Sequence, residues 1–422
     1  MDDQYVVESD TGMLGSVQSP LFHHRRLRAI VCLLLFLAVS SWLGAQAING
    51  TLQGRVSDTT GAVIPSATVT ALNTATGLTR SVAANAVGDY QIGGLPAGDY
   101  TVEADKQGFQ KLAKKIHLDL GASGNVDFAL AIGRVQSQVE VQDVGEVAEP
   151  TRSMVSEVVD QQKIENLPVN GREFIDFALL APGVTIGNTT SGSTDVIVEP
   201  VTKLSFAGQN IHYNFIAVDG ADDISTASGI QRGTPPQESV QEFRVINTDY
   251  TVEFGRATAG IVNIITKSGT NALHGSVYDY LRNNAMDATS ILAVPGFNVL
   301  RQNQFGAALG GPVIKDKTFF FANYEGQRRT ESPTYNSVVL NNLNTPDGIN
   351  FVKVNVFHLP PENLFVLRDS NTDNGLARLD QNFGRSNLFV RYFINDDRLT
   401  NQSPLNNGFD LPSAFKNNNI RD

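Results

Sequence analysis

The stretch from Gln237 to Asn283, QESVQEFRVINTDYTVEFGRATAGIVNIITKSGTNALHGSVYDYLRN, constrains this chain more than any other. Short alternating strands joined by glycine turns run, with no linker, into a segment patterned as a membrane strand. The pattern predicts a compact insert leading directly into a transmembrane β-wall. Nothing in it has the makings of a catalytic motif.

At 422 residues the chain has room for two or three domains. Arg25, Arg26 and Arg28 form a basic region, Ala29 to Val39 an apolar run short of a bilayer span, and Ala45-Gln46-Ala47 a small-residue cleavage site. These features predict a secretory signal over residues 1–47, cut after Ala47. The rival is an uncleaved anchor helix, against which the apolar run breaks at Ser40-Ser41; Met13 is an alternative start, and Arg25-Arg26 an imperfect twin-arginine signal. The single cysteine, Cys32, falls inside this segment. A chain cut after Ala47 therefore has no thiol for disulfides, Fe–S clusters, cysteine-ligated metals or a cysteine nucleophile. Removing residues 1–47 takes away three Arg and four Asp or Glu, leaving 29 basic against 39 acidic residues. An acidic balance with no basic patch argues against nucleic acid. Beyond the signal no run of about 18 apolar residues occurs, so any further passage through a membrane must be made by strands.

From Asn49 to Ala131 short alternating segments recur: 54–56, 67–72, 79–83, 89–92, 100–104 and 125–130, separated by Gly61, Gly77, Gly93-Gly94 and Pro96-Ala97-Gly98. In YTVEA, Tyr100, Val102 and Ala104 share one face, which predicts a half-buried antiparallel sandwich. Residues 133–150 lose their aromatics and turn acidic, as a linker does. Within it Val139, Glu140, Val141 and Gln142 form an extended segment, either ordinary linker or a strand that adds to the edge of another protein. The region 151–270 reads as a small α+β unit, with a turn at Leu167 to Gly171, an amphipathic helix over Arg172–Leu180 stopped by Pro182-Gly183, and a Ser/Thr/Gly loop at Asn188–Thr194. Strands are expected near 204–206, 214–218, 243–247 and 261–266.

From His274 the strands lengthen. Phe305, Ala307, Leu309 and Val313 alternate with Gln304, Gly306, Ala308 and Gly310; Lys315-Asp316-Lys317 turns; Thr318 to Arg328 returns. A second hairpin follows, with Leu379 and Phe383 before a turn at Gly384 to Asn387, then Leu388, Val390, Tyr392 and Ile394. Periodicity alone leaves a lipid-facing barrel wall and a large soluble sandwich equally open.

Two sets of residues carry resemblances to known families, and the second separates these two. Gly88-Asp89-Tyr90, Leu95 to Tyr100 and Gly108-Phe109 resemble the carboxypeptidase regulatory-like domain, which implies a transthyretin-like seven-stranded sandwich over residues 48–132, grouped with carbohydrate-binding-like folds and without peptidase activity. LPVNGREF (167–174), Val218-Asp219-Gly220, Glu242 to Val245, Glu253 to Arg256, VNIITKSGTN (262–271), His274-Gly275-Ser276 and Tyr324-Glu325-Gly326 are similar, in order, to TonB-dependent outer-membrane receptors of the Oar-like group. The resemblance implies a mainly β fold: the sandwich, a small α+β plug over 151–270, and over 271–422 the first strands of an antiparallel outer-membrane β-barrel of about 22 strands in its complete form. It also implies an outer-membrane location with the sandwich in the periplasm, gated uptake of a large or scarce ligand, and a TonB-type inner-membrane energy transducer as partner. Residues 139–142 stand where the transducer's box belongs, matching its pattern loosely. The 152 residues after Thr270 supply about 6 to 8 membrane strands, which marks the chain as a C-terminally truncated fragment. The other readings are a surface adhesion or carbohydrate-binding protein anchored by a barrel, and a fragment without function of its own.

Candidate sites are few. Asp369 to Gly375 carries oxygen ligands at alternate positions, but its glycine falls one place late for a calcium loop, so a solvated extracellular loop is expected. Asp219, Asp222 and Asp223 form an acidic cluster, read as a polar turn facing the barrel interior, with calcium as the rival. Arg244, Glu253 and Arg256 are expected to pin the plug to the wall. The six histidines show no metal-ligand spacing beyond the adjacent pair in the signal, and no nucleophile, phosphate-loop or zinc-protease motif occurs. No enzyme and no cofactor is predicted.

Overall fold

The computed structural model describes residues 49–133, 140–146, 155–167, 169, 172–187, 203–225, 230–248, 257–289, 291–384, 386–402 and 411–421. The expected signal with Ala47, together with Val139, Glu253, Arg256 and the loop 188–194, lies outside the described residues.

The first layer pair is built from β1 (Gly50–Asp58), β2 (Thr68–Asn73), β3 (Thr79–Ala83), β4 (Asp89–Leu95), β5 (Gly98–Asp105), β6 (Leu112–Leu118), β7 (Ser123–Asn125), β8 (Phe128–Leu130) and β9 (Glu140–Glu146). One sheet runs β4-β1-β7, with β8 also on β1; the other runs β3-β2-β5-β6-β9. Alternation decides which side chains go inside. Tyr100, Val102 and Ala104 of β5 meet Leu52, Val56, Tyr90, Ile92 and Phe128 in the shared core, as the sequence pattern predicts. Both core tyrosines keep a partner for the polar tip, Tyr90 donating to the Val126 carbonyl at 2.6 Å and Tyr100 to that of Pro96 at 2.7 Å. Strand β6 was not expected, because Lys114 and Lys115 interrupt its apolar alternation; Leu112, Ile116 and Leu118 still face inward.

Strand β9 corrects the linker reading. Residues 140–146 lie parallel to β6, with Glu140, Val141 and Gln142 opposite Leu112, Ala113 and Lys114. The edge that the segment extends belongs to its own chain.

The α+β unit holds β10 (Val155–Val159), α1 (Gln161–Asn166), β11 (Val184–Ile186), β12 (Leu204–Phe206), β13 (Phe215–Val218), β14 (Ala221–Asp222), β15 (Ile224–Ser225), β16 (Ile230–Gln231), β17 (Val240–Thr248) and β18 (Ile261–Thr266). Its main sheet has the order β10-β17-β18-β13-β14, with β13 and β18 parallel. Asp160 caps α1, accepting from the Lys163 backbone N–H at 2.8 Å. The helix predicted over 172–180 is a 3-10 helix over Phe174–Leu180 with no side-chain cap bond. Phe174, Ile175, Phe177 and Ala178 are all buried, so packing against Phe243 and Phe206 rather than capping holds the segment. Gly260 lets the chain pass close to the Phe206 ring; a Cβ there would lie 2.1 Å from it.

The third unit is an open antiparallel meander: β19 (His274–Asn283), β20 (Leu300–Ile314), β21 (Thr318–Glu331), β22 (Arg368–Asn382), β23 (Asn387–Gln402) and β24 (Lys416–Arg421). Register aligns one face into rows, such as Val277, Ala307, Tyr324, Gly375 and Ile394. The burial of this wall is inverted relative to a soluble sheet. Leu309 and Val390 are 47% and 63% exposed, while Gln304 and Thr372 on the opposite face are each 5% exposed. That inversion removes the soluble-sandwich alternative, since a β-sandwich buries its apolar face. Residues 315–317 make a short turn between β20 and β21, and only four residues separate β22 from β23 at the same end. Asp369 to Gly375, expected as a loop, lies inside β22, paired with β21 on one side and over most of its length with β23 on the other. Its polar side chains are those of a wall strand whose inner face meets polar partners. Among the described residues no helix is long and apolar enough to cross a membrane.

Candidate functional site

Two polar clasps fasten the α+β unit to the inner face of the wall. The first forms at the β13–β14 turn, where Asp219 (φ 49°) and Gly220 (φ 82°) take the left-handed conformations that a tight hairpin requires. The turn swings the Asp219 carboxylate onto the wall, with the side chain 3% exposed. It accepts from the Thr266 backbone N–H at 2.9 Å and hydroxyl at 2.7 Å, from Arg378 Nη1 at 3.2 Å and from Arg391 Nη1 at 2.8 Å. Arg378 also donates from Nη2 to Asp380 at 2.8 Å and from Nη1 to the Thr266 carbonyl at 2.9 Å, and its guanidinium lies 4.7 Å from the Phe389 ring centre. Four donors on one carboxylate leave no place for calcium at Asp219. Burial pushes the neighbouring Asp223 carboxyl up to about 6, with Gln231 and the Arg391 and Arg232 charges pulling the other way.

The second clasp is Arg172. Its guanidinium donates to Glu238 at 2.8 Å and lies 4.1 Å and 5.1 Å from the ring centres of Tyr280 and Tyr278 on β19. Tyr278 in turn donates to Glu325 at 2.9 Å, across Gly306, where a Cβ would come within 2.4 Å of the tyrosine oxygen. Beside Arg172, burial and the Asp176 and Glu325 charges push the Glu173 carboxyl up to about 8.

The arrangement departs from the residues singled out in the sequence. Arg244 lies in β17 and is 2% exposed; the arginines that hold Asp219 are Arg378 and Arg391, supplied by the wall. Their partner Asp219 was legible in the sequence as part of an acidic turn facing the barrel interior; the wall arginines sit in strands whose alternation gives their face but not their partner. At the short-turn end the sandwich touches the wall, Asn271 N–H donating to the Ala75 carbonyl at 2.9 Å and its side chain to Asp316 at 2.7 Å. The sandwich also carries a polar groove of about 690 Å³ lined by Arg55, Asp89, Gln91, Asn125 and Asp127.

Comparison with known proteins agrees with this architecture. Residues 51–131 match the carboxypeptidase regulatory-like domain and residues 265–357 the outer membrane beta barrel domain. The chain thus contains a regulatory-like sandwich and part of an outer-membrane β-barrel domain, whose exposed apolar rows are the face turned to lipid. Part of it is similar in sequence to TonB-dependent transporters and receptors. It is 31% identical over 261 residues to the TonB-dependent transporter Oar of Myxococcus xanthus, covering 58% of this chain and 23% of that protein. It is 26% identical over 195 residues to the probable TonB-dependent siderophore receptor PirA of Acinetobacter baumannii, covering 43% and 24%. The crystal structure of PirA covers 60% of this chain and 33% of its own, at 19% identity and a TM-score of 0.42. The outer membrane transporter YddB of Escherichia coli covers 59% and 34%, at 14% identity and a TM-score of 0.42. The matched part thus spans about a quarter of the length of the curated relatives. These relatives are transporters and receptors by name, not enzymes.

Proposed function

We propose that the chain serves gated uptake across the outer membrane, with the α+β unit as a plug held inside the wall. The observation that carries this reading is the Asp219 carboxylate clamped by Arg378 and Arg391. Ion pairs and hydrogen bonds exchange with water more readily than an apolar seam, so such a plug can be remodelled by force without exposing a core. The ligand belongs to a class too large or scarce for diffusion pores. Force comes from an inner-membrane energy transducer that pairs with residues 139–142, the segment just before the unit. Residues 140–142 rest on the sandwich edge as part of β9, whose other side has no strand partner among the described residues, so the transducer can add a strand there while β6 stays paired. Residues 1–47 are exported with the chain and cut after Ala47.

The reading is tested by growth on candidate nutrients in strains with and without the transducer. Uptake that depends on this chain and disappears with the transducer supports it; chain-dependent uptake that persists unchanged overturns it.

The groove near Asp89 and Asp127 supports a second reading, an adhesion or carbohydrate-binding protein anchored by its wall. Its one ring, Tyr90, is buried with the hydroxyl bonded to Val126, so the groove lacks the exposed aromatic platform on which a sugar stacks. Binding of the full chain to immobilised glycans separates the two readings.

A further inference from the structure

We propose that His117, Asp119 and Glu242 form a binding site for a divalent first-row transition metal, zinc foremost, which ties the sandwich to the α+β unit. His117 is the penultimate residue of β6 and Asp119 follows that strand; Glu242 comes from β17 of the other unit. One ligand atom from each of the three lies within 4.8 Å of the others.

The imidazole is set up as a ligand. His117 Nδ1 lies 2.7 Å from Asp99 Oδ1. A carboxylate there holds the proton on Nδ1 and leaves the Nε2 lone pair free, the outer-shell arrangement that orients metal-binding histidines. Nε2 faces Asp119, 3.6 Å from its Oδ1. Glu242 is 3% exposed, and its Oε1 is buried with no hydrogen-bond partner among the described residues. A buried carboxylate oxygen without a partner costs several kcal/mol, and natural chains keep one where something else satisfies it.

Charge points the same way. Asp99, Asp119 and Glu242 gather around one imidazole, with Arg244 near Glu242, and even a protonated ring and that guanidinium together leave the group short of neutrality. A divalent cation corrects this and supplies Glu242 with the partner it lacks. One nitrogen and two carboxylate oxygens with room for water suit zinc, or its first-row neighbours, at about 2.0–2.2 Å. Calcium prefers six to eight oxygens and is poorly served by an imidazole.

The test titrates zinc alone into the full chain, stripped by chelator and held in detergent micelles, by calorimetry. One zinc per chain is expected, weakened at least about 100-fold by Glu242→Gln and by His117→Asn. Asp99→Asn, which touches no metal, weakens it about 10- to 100-fold. No saturable uptake near one equivalent overturns the site, as does unchanged affinity in both ligand variants. Tighter binding of calcium than of zinc overturns the metal class. Should Glu242→Gln lose its circular dichroism, His117→Asn and Asp119→Asn decide alone, since both positions lie on the partly exposed side of the sandwich.

Discussion

Arg391 and Asp219, 172 positions apart in the chain, meet with Nη1 2.8 Å from Oδ2. Arg378 closes on the other carboxylate oxygen at 3.2 Å. Replacing Asp219 with Asn keeps a residue that tolerates the left-handed turn and removes the charge alone. Two wall guanidinium groups then lose their shared counter-charge, and breaking a buried pair from one side costs about 3–5 kcal/mol. We expect the urea midpoint of the full chain in micelles to fall accordingly. A loss below about 0.5 kcal/mol would show that the pair is solvent-screened and holds nothing.

Arg172 tests the second clasp. Arg172→Ala removes the Glu238 ion pair and both tyrosine contacts, at an expected cost of about 2 kcal/mol. Lysine restores the charge but not the planar stack, so Arg172→Lys recovers less than half of it. Near-ultraviolet circular dichroism of the tyrosines follows the change directly. Full recovery by lysine would mean that charge alone fixes this corner.

Much of the fold was legible because both β patterns are local. The alternation of β5, β20 and β23 gave their faces, and the inverted burial of the wall followed once register was known. What failed was decided elsewhere. β6 hides behind Lys114, which donates to the Asp127 carbonyl at 2.7 Å, and Lys115, which is exposed. The helix over 172–180 became a 3-10 helix because buried Phe174 and Phe177, not a capped N-terminus, set its course. The Asp219 clasp and the group around His117 join residues from different units, and no spacing along a chain encodes such a meeting.

Gly260 examines the core of the α+β unit. A Cβ at this position would stand 2.1 Å from the ring of Phe206, which is fully buried and has nowhere to move. Gly260→Ala is therefore expected to destabilise the unit by about 1–3 kcal/mol through overpacking. Denaturation monitored by amide exchange of β12 and β18 checks it; an unchanged midpoint would mean that the backbone shifts freely there.

Glu173 gives stability a pH dependence of definite sign. Its carboxyl, pushed up to about 8 by burial first and by Asp176 and Glu325 next, holds its proton in the folded chain where the unfolded chain has lost it. The contribution is complete below about 4.5 and is lost as pH rises through about 8, up to about 4 kcal/mol in all. Glu173→Gln stays neutral throughout, so the variant should match the parent at pH 5 and exceed it at pH 9. Parallel stability curves from pH 5 to 9 would contradict the assignment.

Strand β9 has its ladder on one side only, against β6. Successive residues of an edge strand point their N–H groups alternately at the partner and away, so protection from exchange should alternate along 140–146. We expect the inward set to exchange at least about tenfold more slowly than the outward set in the full chain. Adding the periplasmic domain of the energy transducer should slow exchange of the outward set, because a strand added to the open edge of β9 bonds those amides. The distinction matters for how pulling begins. If β9 exchanges throughout at the rate of an unstructured peptide, the transducer meets a free strand and the sandwich imposes no threshold. If the outward amides of β9 gain no protection while the domain binds, the pairing with residues 139–142 is wrong and force must enter elsewhere.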